Sequence, residues 1–224
     1  MITINDRRQS HILYSALQVR CPHYFISKNG VKYITNPELI EEYEKATGER
    51  IGVLYQMGDY EIFVVDLVEK NGKTKLHGRI ILPENGVIII PKIGDRFILE
   101  DQYRYPTCRK HLAFPRGHCE PGTTPEENAV RETKEELGAN LLHLKYLGKT
   151  YPETHSNAWY CSIIAGEAEG LTFDQYGIIR RDGYEGIDNL FAYTAEEIDE
   201  LIARRDIDCG YTLAAWAIYR AHAH

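Results

Sequence analysis

Three glutamates stand close together near the middle of the chain, at Glu132, Glu135 and Glu136. If this segment is helical, the i, i+3 and i+4 spacing places the three carboxylates on one face, where they repel one another. Such a run of charge is most often a solvated helix face, and that interpretation stays open. The alternative is a site for hard divalent cations, which bind several carboxylate oxygens and relieve the repulsion.

The helix that would carry these glutamates has a defined beginning and end. Residues 124–127, TPEE, have the pattern of a capping box with proline at the first helical position, and Gly138 favours termination. At about 100° per residue, Val130, Thr133 and Leu137 share one side of the helix. We expect that side to face the core and the glutamates to lie opposite.

The segment before the helix is rich in residues that fix a chain direction, namely Pro115, Gly117, Pro121 and Gly122. Proline and glycine at these positions predict a tight, ordered loop that aims backbone groups at the start of the helix. A helix face that only meets water does not need such a loop. The loop therefore favours the cation site.

Together, loop and helix resemble the signature of the Nudix hydrolase family: a glycine, five residues, a glutamate, seven residues, then Arg-Glu-x-x-Glu-Glu-x-Gly. Gly117 opens the segment, and Arg131 to Gly138 close it at the family spacing. Thr123 stands where the family has the upstream glutamate, which orients the arginine or binds a metal there. Thr133 replaces a small apolar residue, which is a milder departure.

Residues 98–117 are similar to the segment that precedes the signature in the ADP-ribose pyrophosphatase branch of the family. A Gln-Tyr-Arg-Tyr-Pro-like stretch and a Pro-Ala-Gly turn of that branch correspond here to Gln102–Pro106 and Pro115–Gly117. The branch usually has a glutamate two residues before the proline of that turn, where this chain has Ala113.

The resemblance covers most of residues 55 to 220 and implies an α/β Nudix fold over residues 51–224, with a mixed sheet sandwiched between helices. The sequence pattern agrees, because strand-and-turn segments fill residues 51–106 and a helical pattern fills the last section. Residues 1–50 form a predicted N-terminal α+β extension. In the branch, such an extension exchanges strands across a homodimer.

The resemblance also implies the roles of individual residues. Glu132, Glu135 and Glu136 would bind Mg²⁺, with Mn²⁺ as a possible substitute, and the main-chain carbonyl of Arg116 would be a further ligand. Arg104 is the candidate for clamping a diphosphate, with Gln102 beside it, although a surface arginine on a strand remains the alternative.

Catalytic roles are predicted for Glu136 and for a general base on the loop at 180–189. Glu185 is the favoured base and Asp188 the alternative, because glycines on either side would let this loop close on substrate. Gly117, Gly122, Arg131 and Gly138 complete the motif.

These roles predict a Mg²⁺-dependent pyrophosphatase that hydrolyses ADP-ribose or a related nucleoside diphosphate sugar to a nucleoside monophosphate and a sugar phosphate. One alternative, suggested by Thr123 and Ala113, is a Nudix-fold protein that binds such a ligand with little turnover. Another is a hydrolase of a dinucleotide polyphosphate or of coenzyme A.

Composition limits the possible partners and the compartment. The 224 residues carry a formal charge of −7, which does not favour nucleic acid or anionic lipid as a partner. The polar N-terminus and the lack of a membrane-length apolar run predict a cytoplasmic protein. Five widely spaced cysteines argue against a disulfide framework, and the cysteines and histidines at 108–119 match no common zinc spacing.

Overall fold

The computed structural model describes residues 2–58, 61–180 and 186–222. The chain forms two compact units, one of Met1–Glu84 and Glu153–Trp159 and the other of Asn85–Pro152 and Tyr160–His224. This division differs from the boundary predicted near residue 50. Strands that follow residue 50 pair with strands of the N-terminal segment, so the first unit extends further along the chain.

The first unit combines two helices with an antiparallel sheet. Its helices are α1 (Arg7–Arg20) and α2 (Pro37–Thr47). Its strands are β1 (Ile2–Thr3), β2 (Val31–Ile34), β3 (Gly52–Met57), β4 (Glu61–Lys70) and β5 (Lys73–Ile81). β5 pairs with β4 from Ile62 to Lys70. On the other edge of β4, β3 and β2 pair with successive parts of it, and β1 pairs with β3.

A buried polar network ties α1 to this sheet. The Tyr14 hydroxyl donates to the Asp66 carboxylate at 2.7 Å, and Arg79 Nε donates to the same carboxylate at 2.5 Å. The Arg79 guanidinium also lies 4.9 Å from the ring centroid of Phe25 and 5.0 Å from that of Tyr33. Because both charges are paired and hydrogen-bonded, they are tolerated inside an otherwise apolar core.

The second unit holds the predicted motif. Its strands are β6 (Gly86–Ile93), β7 (Arg96–Arg104), β8 (Arg109–Ala113), β9 (Arg116–His118), β10 (Asn140–Thr150), β11 (Cys161–Glu169), β12 (Ile178–Arg180) and β13 (Ile187–Tyr193). Its helices are α3 (Pro125–Glu132), which continues into a π-helical segment (Thr133–Leu137), α4 (Ala195–Ala203) and α5 (Gly210–His222).

The sheet of this unit runs in the order β10-β11-β6-β7-β13-β12 and is mixed, because β11 and β6 are parallel and the other neighbours antiparallel. β6 and β7 pair only near their hairpin, at Lys92 with Phe97 and Ile93 with Arg96. Beyond that point β9 pairs with β6 and β8 pairs with β7. The two central strands therefore separate, and the loop at 114–115 crosses between their new partners.

Helices cover both faces of this sheet, as predicted. Ile98 packs with Leu137 at the end of the motif helix, whereas Phe97 lies with its ring centroid 4.9 Å from that of Trp216 on α5. Consecutive residues of a strand point to opposite faces, so the motif helix and α5 lie on opposite sides. The predicted capping box of α4, between Thr194 and Glu197, is also present.

Candidate active site

The start and end of the motif helix confirm the predicted signals. The Thr124 hydroxyl accepts a hydrogen bond from Glu127 N at 3.2 Å, and the Glu127 carboxylate accepts one from Thr124 N at 2.8 Å. Gly138 follows with φ 72°, the left-handed conformation that glycine adopts at low cost. The helix is thus held at both ends by local interactions.

The buried face of this helix differs from the prediction at one residue. Thr133 and Leu137 are fully buried as expected, but Val130 is exposed and Ala129 takes its place in the core. The three buried residues are four apart because the last turn widens to π-helical geometry, which needs more than 3.6 residues per turn. The Thr133 hydroxyl is satisfied by donation to Ala129 O at 2.7 Å.

The three glutamates do not share one solvated face. Glu132 is 7% exposed and Glu136 is 4% exposed, whereas Glu135 lies at the surface. The pair at i and i+4 points toward strand β9. This arrangement is incompatible with a purely solvated acidic face, because a carboxylate without a function there would have stayed in water.

Gly117 on β9 makes room for Glu132. A Cβ built on Gly117 would overlap the Glu132 carboxylate, whereas a Cβ on Gly210 would meet no atom within 4 Å. The backbone of Gly117 is not in the left-handed region, so its requirement is for space and not for conformation. The opening glycine of the motif therefore lets a carboxylate lie directly on the strand backbone.

Glu136 is buried next to other carboxylates. Its Oε2 accepts a hydrogen bond from Arg116 N at 3.0 Å. Burial, followed by the fields of Glu100 and Glu132, raises the pKa of the Glu136 carboxyl well above its ordinary value, while the Arg116 N–H and Arg104 act in the opposite direction. Like charges are thus concentrated here with incomplete compensation.

Arg131 gathers the acidic groups at the rim of this site. Its guanidinium donates to Glu132 at 2.7 Å, to Glu135 at 2.7 Å and to His118 O at 2.8 Å. Glu120 lies 3.6 Å from Arg131 Nε. Arg131 is therefore oriented from several directions, although the upstream glutamate of the family signature is absent.

Thr123, which replaces that glutamate, has a role in closing the loop. Its hydroxyl donates to Glu120 O at 2.6 Å and accepts from Asn128 Nδ2 at 2.5 Å. Glu120 N in turn donates to Asn128 Oδ1 at 2.9 Å. Gly122, at φ 80°, supplies the turn between them. The loop thus places Glu120 near Arg131, and the hydrogen bonds of Thr123 hold the end of the loop against the first turn of the helix.

Strand β7 presents a row of polar side chains on one face. Ile98, Glu100, Gln102 and Arg104 alternate along the strand, so they share a face. Glu100 is fully buried and Gln102 is 6% exposed. Arg104 is partly buried, and its burial together with the field of Arg116 lowers the pKa of its guanidinium. Arg104 is therefore a neighbour of the carboxylates and not an isolated surface arginine.

The two candidate bases are placed differently. Glu185 lies outside the described residues. Asp188 lies on β13, where its carboxylate pairs with Lys110 and its backbone N donates to the Asp101 carboxylate at 3.2 Å. Gly186, the residue after Glu185, lies beside Tyr103 on β7. A Cβ added to Gly186 would be 3.7 Å from the nearest Tyr103 atoms. Asp188 is thus already engaged in a surface ion pair.

The donor chemistry of the site suits a hard cation. Across residues 2–58, 61–180 and 186–222, no three His, Cys, Asp or Glu side chains are arranged as a finished metal site. Glu135 turns to Arg131, whereas Glu132 and Glu136 face Gly117 and Arg116. Carboxylate and carbonyl oxygens that repel one another in a buried setting are nevertheless the groups that Mg²⁺ prefers.

Three residues that shape the site, Glu100, Asn128 and Tyr211, were not predicted from the sequence. Glu100 had a usable signal, since it is an acidic residue inside an apolar strand and alternates with Gln102 and Arg104. Asn128 had none, because its side chain closes a loop whose shape the residue types alone do not specify. Tyr211 had none, because it meets Arg116 only through long-range packing.

Comparison with known proteins identifies the family. The family model for the NUDIX domain matches residues 83–203, more than half of the chain. The chain therefore belongs to the Nudix family, which confirms the resemblance read from the signature.

Within the described residues, no helix is long and apolar enough to cross a membrane.

Curated relatives match parts of the chain. It is 37% identical over 87 residues to the ADP compounds hydrolase NudE of Escherichia coli K12, covering 38% of this chain and 46% of that protein. It is 30% identical over 115 residues to the putative nudix hydrolase 1 of Caenorhabditis elegans, covering 46% and 31%. An 8-oxo-dGTP diphosphatase of E. coli is 36% identical over 61 residues, covering 26% and 47%. The chain thus spans less than half the length of these relatives.

A solved structure supports the fold. The crystal structure of an ADP compounds hydrolase superposes with a TM-score of 0.65 at 20% identity, covering 77% of this chain and 90% of the other. The predicted Nudix fold is confirmed by this similarity.

We predict that Gly117→Ala displaces the Glu132 carboxylate, because the new methyl group would occupy its position. A misplacement of about 1 Å at a reacting centre costs about 100-fold in rate, so kcat of the hydrolysis proposed below should fall by about that factor. The control is Gly210→Ala, whose added methyl group meets open space. Equal kcat values for wild type and Gly117→Ala would show that the close approach has no catalytic consequence.

We also predict that Glu136→Gln stabilises the metal-free protein at neutral pH. The folded pKa of Glu136 is raised, so the folded state favours the protonated form, and stability is lost as pH rises from the unfolded pKa through the folded one. The Tm of wild type in EDTA should therefore decrease relative to that of Glu136→Gln as the pH rises above the ordinary pKa of a glutamate carboxyl. A gain of about 1 kcal/mol corresponds to about 2–4 °C for a protein of this size. A difference in Tm that does not change with pH would contradict the electrostatic explanation.

Proposed function

We propose that this protein hydrolyses ADP-ribose or a related nucleoside diphosphate sugar with the help of Mg²⁺, releasing a nucleoside monophosphate and a sugar phosphate. One observation carries the proposal. Glu132 and Glu136 are buried against Gly117 and Arg116 N, with Glu100 beside them. A fold that accepts the cost of these neighbouring carboxylates needs a cation to offset it.

In this proposal Glu132, Glu135, Glu136 and the main-chain carbonyl of Arg116 hold Mg²⁺, or Mn²⁺ in its place. When bound, the ion neutralises the diphosphate and favours attack by water. Arg131 keeps Glu132 and Glu135 oriented. Arg104 would bind a phosphate oxygen through its guanidinium, and Gln102 would line the same strand face.

Glu185 is the proposed general base, and Asp188 remains the alternative. The Lys110 ion pair favours Glu185, because a carboxylate already paired to an ammonium is a weaker base. Gly186 lies beside Tyr103 on β7, one residue from Arg104. The loop end is therefore anchored near the strand that carries the candidate phosphate ligand.

The binding-protein alternative rests on Thr123 and Ala113. The network around Arg131 weakens it, because Glu120 supplies the carboxylate that Thr123 lacks, at 3.6 Å from Arg131 Nε. Ala113 is buried at the end of β8 and offers no carboxylate, so the substrate end can differ from that of the ADP-ribose branch. A dinucleotide polyphosphate or coenzyme A remains the alternative substrate. The curated relatives include an ADP compounds hydrolase and an 8-oxo-dGTP diphosphatase, which supports a nucleotide substrate.

The test is a panel of nucleoside diphosphate derivatives incubated with Mg²⁺, with the released phosphomonoester as the readout. We expect turnover of ADP-ribose or a close analogue, and a loss of several orders of magnitude in kcat for Glu136→Gln, because a metal site supplies several kcal/mol to such a transition state. Glu126→Gln is the matched control, since Glu126 lies in the first turn of the same helix. ADP-ribose binding without any turnover in the panel would favour the binding-protein alternative.

In the same assay, Glu185→Gln should lower the rate by about 10²- to 10⁴-fold if this residue is the base. Its Mg²⁺-dependent increase in Tm should remain that of wild type. A normal rate would reject Glu185 and move the role to Asp188 or to metal-activated water, leaving the reaction itself unaffected.

A cytoplasmic homodimer is also proposed, on the basis of the family branch. The full chain should sediment at twice its 25.8 kDa mass. A variant that begins near residue 50 should be insoluble, because it lacks both helices of the first unit and the strands β1 and β2. These two strands pair with β3 and β4, whose edges would be left open. A stable full-length monomer would remove the dimer from the proposal.

A further inference from the structure

The Arg116 side chain has a position of its own in the site. Its backbone N–H serves Glu136, but its guanidinium extends away to the start of α5. There it lies 4.1 Å from the ring centroid of Tyr211, and its Nη1 is 3.6 Å from Cys209 Sγ. Stacking on an aromatic face fixes the direction of a guanidinium without using its in-plane N–H groups. The contact therefore orients the charge and leaves donors for another partner.

The neighbours of Arg116 do not neutralise it. In the part of the chain that the structure describes, Arg116 makes no salt bridge within 4.0 Å, whereas Arg131 makes several. Cys209 is a free thiol. Arg116 thus holds a positive charge at the start of α5, within electrostatic range of Arg104.

Arg104 lies close enough to Arg116 to feel its charge, although the fields of Glu100, Glu136 and Cys209 act in the opposite direction. Its Nη2 is shielded from solvent and meets no hydrogen-bond acceptor among residues 2–58, 61–180 and 186–222. A buried donor without an acceptor is costly, and two guanidinium groups that approach one another add repulsion. Both costs are removed by an anion that accepts from both.

We propose that Arg104 and Arg116 together form an anion pocket that selects substrates carrying a phosphate group in addition to the diphosphate that is cleaved. This inference rests on the proposed function and narrows it, because among the related nucleoside diphosphate derivatives it favours those with a further phosphate over ADP-ribose itself. Cations held by the glutamates, with one arginine, already match the two charges of a diphosphate diester. A second oriented guanidinium matches a further phosphate, whose oxygens accept two parallel N–H bonds.

Binding is measured by calorimetry in EDTA, so that no turnover is needed. The probes are two pairs that differ by one phosphate, NADPH with NADH and tripolyphosphate with pyrophosphate. We expect the phosphate-richer member of at least one pair to bind wild type about 10- to 100-fold more tightly, the range given by hydrogen bonds to a charged group. Arg116→Ala should reduce that ratio to about one, and Arg116→Lys should keep part of it.

Arg96→Ala is the matched control, because it removes an exposed arginine of the same unit that pairs with Glu197. Its ratio should equal that of wild type. Equal binding within both pairs by wild type, or a ratio that survives Arg116→Ala in a variant with wild-type Tm, would overturn the inference. Hydrolysis of the panel with Mg²⁺ is scored separately. Turnover without a phosphate preference rejects only the pocket, and a preference without turnover rejects only the proposed reaction.

Discussion

The contact between the motif helix and strand β9 is the constraint on which the second unit depends. Glu132 lies on the Cα of Gly117, and Glu136 accepts the N–H of Arg116 one residue earlier. A carboxylate reaches a strand backbone this closely only if the strand lacks a side chain there and the helix is held at a fixed height. The capping box, the left-handed Gly138 and the clamp formed by Thr123 and Asn128 all serve to fix that height.

The strand arrangement of the sheet also makes the contact between the motif helix and β9 possible. β6 and β7 pair only beside their hairpin and then separate, so that β9 becomes the neighbour of β6 and β8 that of β7. Glu100 and Arg104 on β7 consequently belong to the same electrostatic environment as Glu136 at the end of the motif helix. Hydrophobic packing holds the motif helix against the sheet despite the repulsion between these carboxylates. Ala129 packs with Val87 and Ile89, and Leu137 packs with Ile98.

The sequence was sufficient for features that local interactions determine. A capping box and a terminating glycine involve residues close in the chain, and both were found where expected. The glutamates were expected on the face opposite the core, but Glu132 and Glu136 are buried. The exposure of Val130 was not predictable from an ideal helical period, because a widened last turn changes which residues line up. The first unit extends beyond residue 50 because β4 pairs with both β2 and β3, which is a long-range choice. The stacking of Arg116 on Tyr211 joins residues far apart in the chain, and no local pattern encodes it.

The three arginines of the site show how neighbouring charge separates residues of one type by role. Arg131 is surrounded by Glu120, Glu132 and Glu135, so its charge is used within the fold and serves to orient carboxylates. Arg104 and Arg116 repel each other, and neither forms a salt bridge within 4.0 Å among the described residues, although Glu100 and Glu136 offset part of the effect on Arg104. Arg131 therefore stabilises the protein, and its charge is not available to a ligand. Arg104 and Arg116 raise the free energy of the unliganded fold, and an anion that removes this cost binds more tightly for that reason. The same logic applies to the carboxylates, which a cation relieves. The site therefore holds incompletely compensated charge of both signs in adjacent regions, the arrangement that a phosphate ester bound together with a divalent cation would complete.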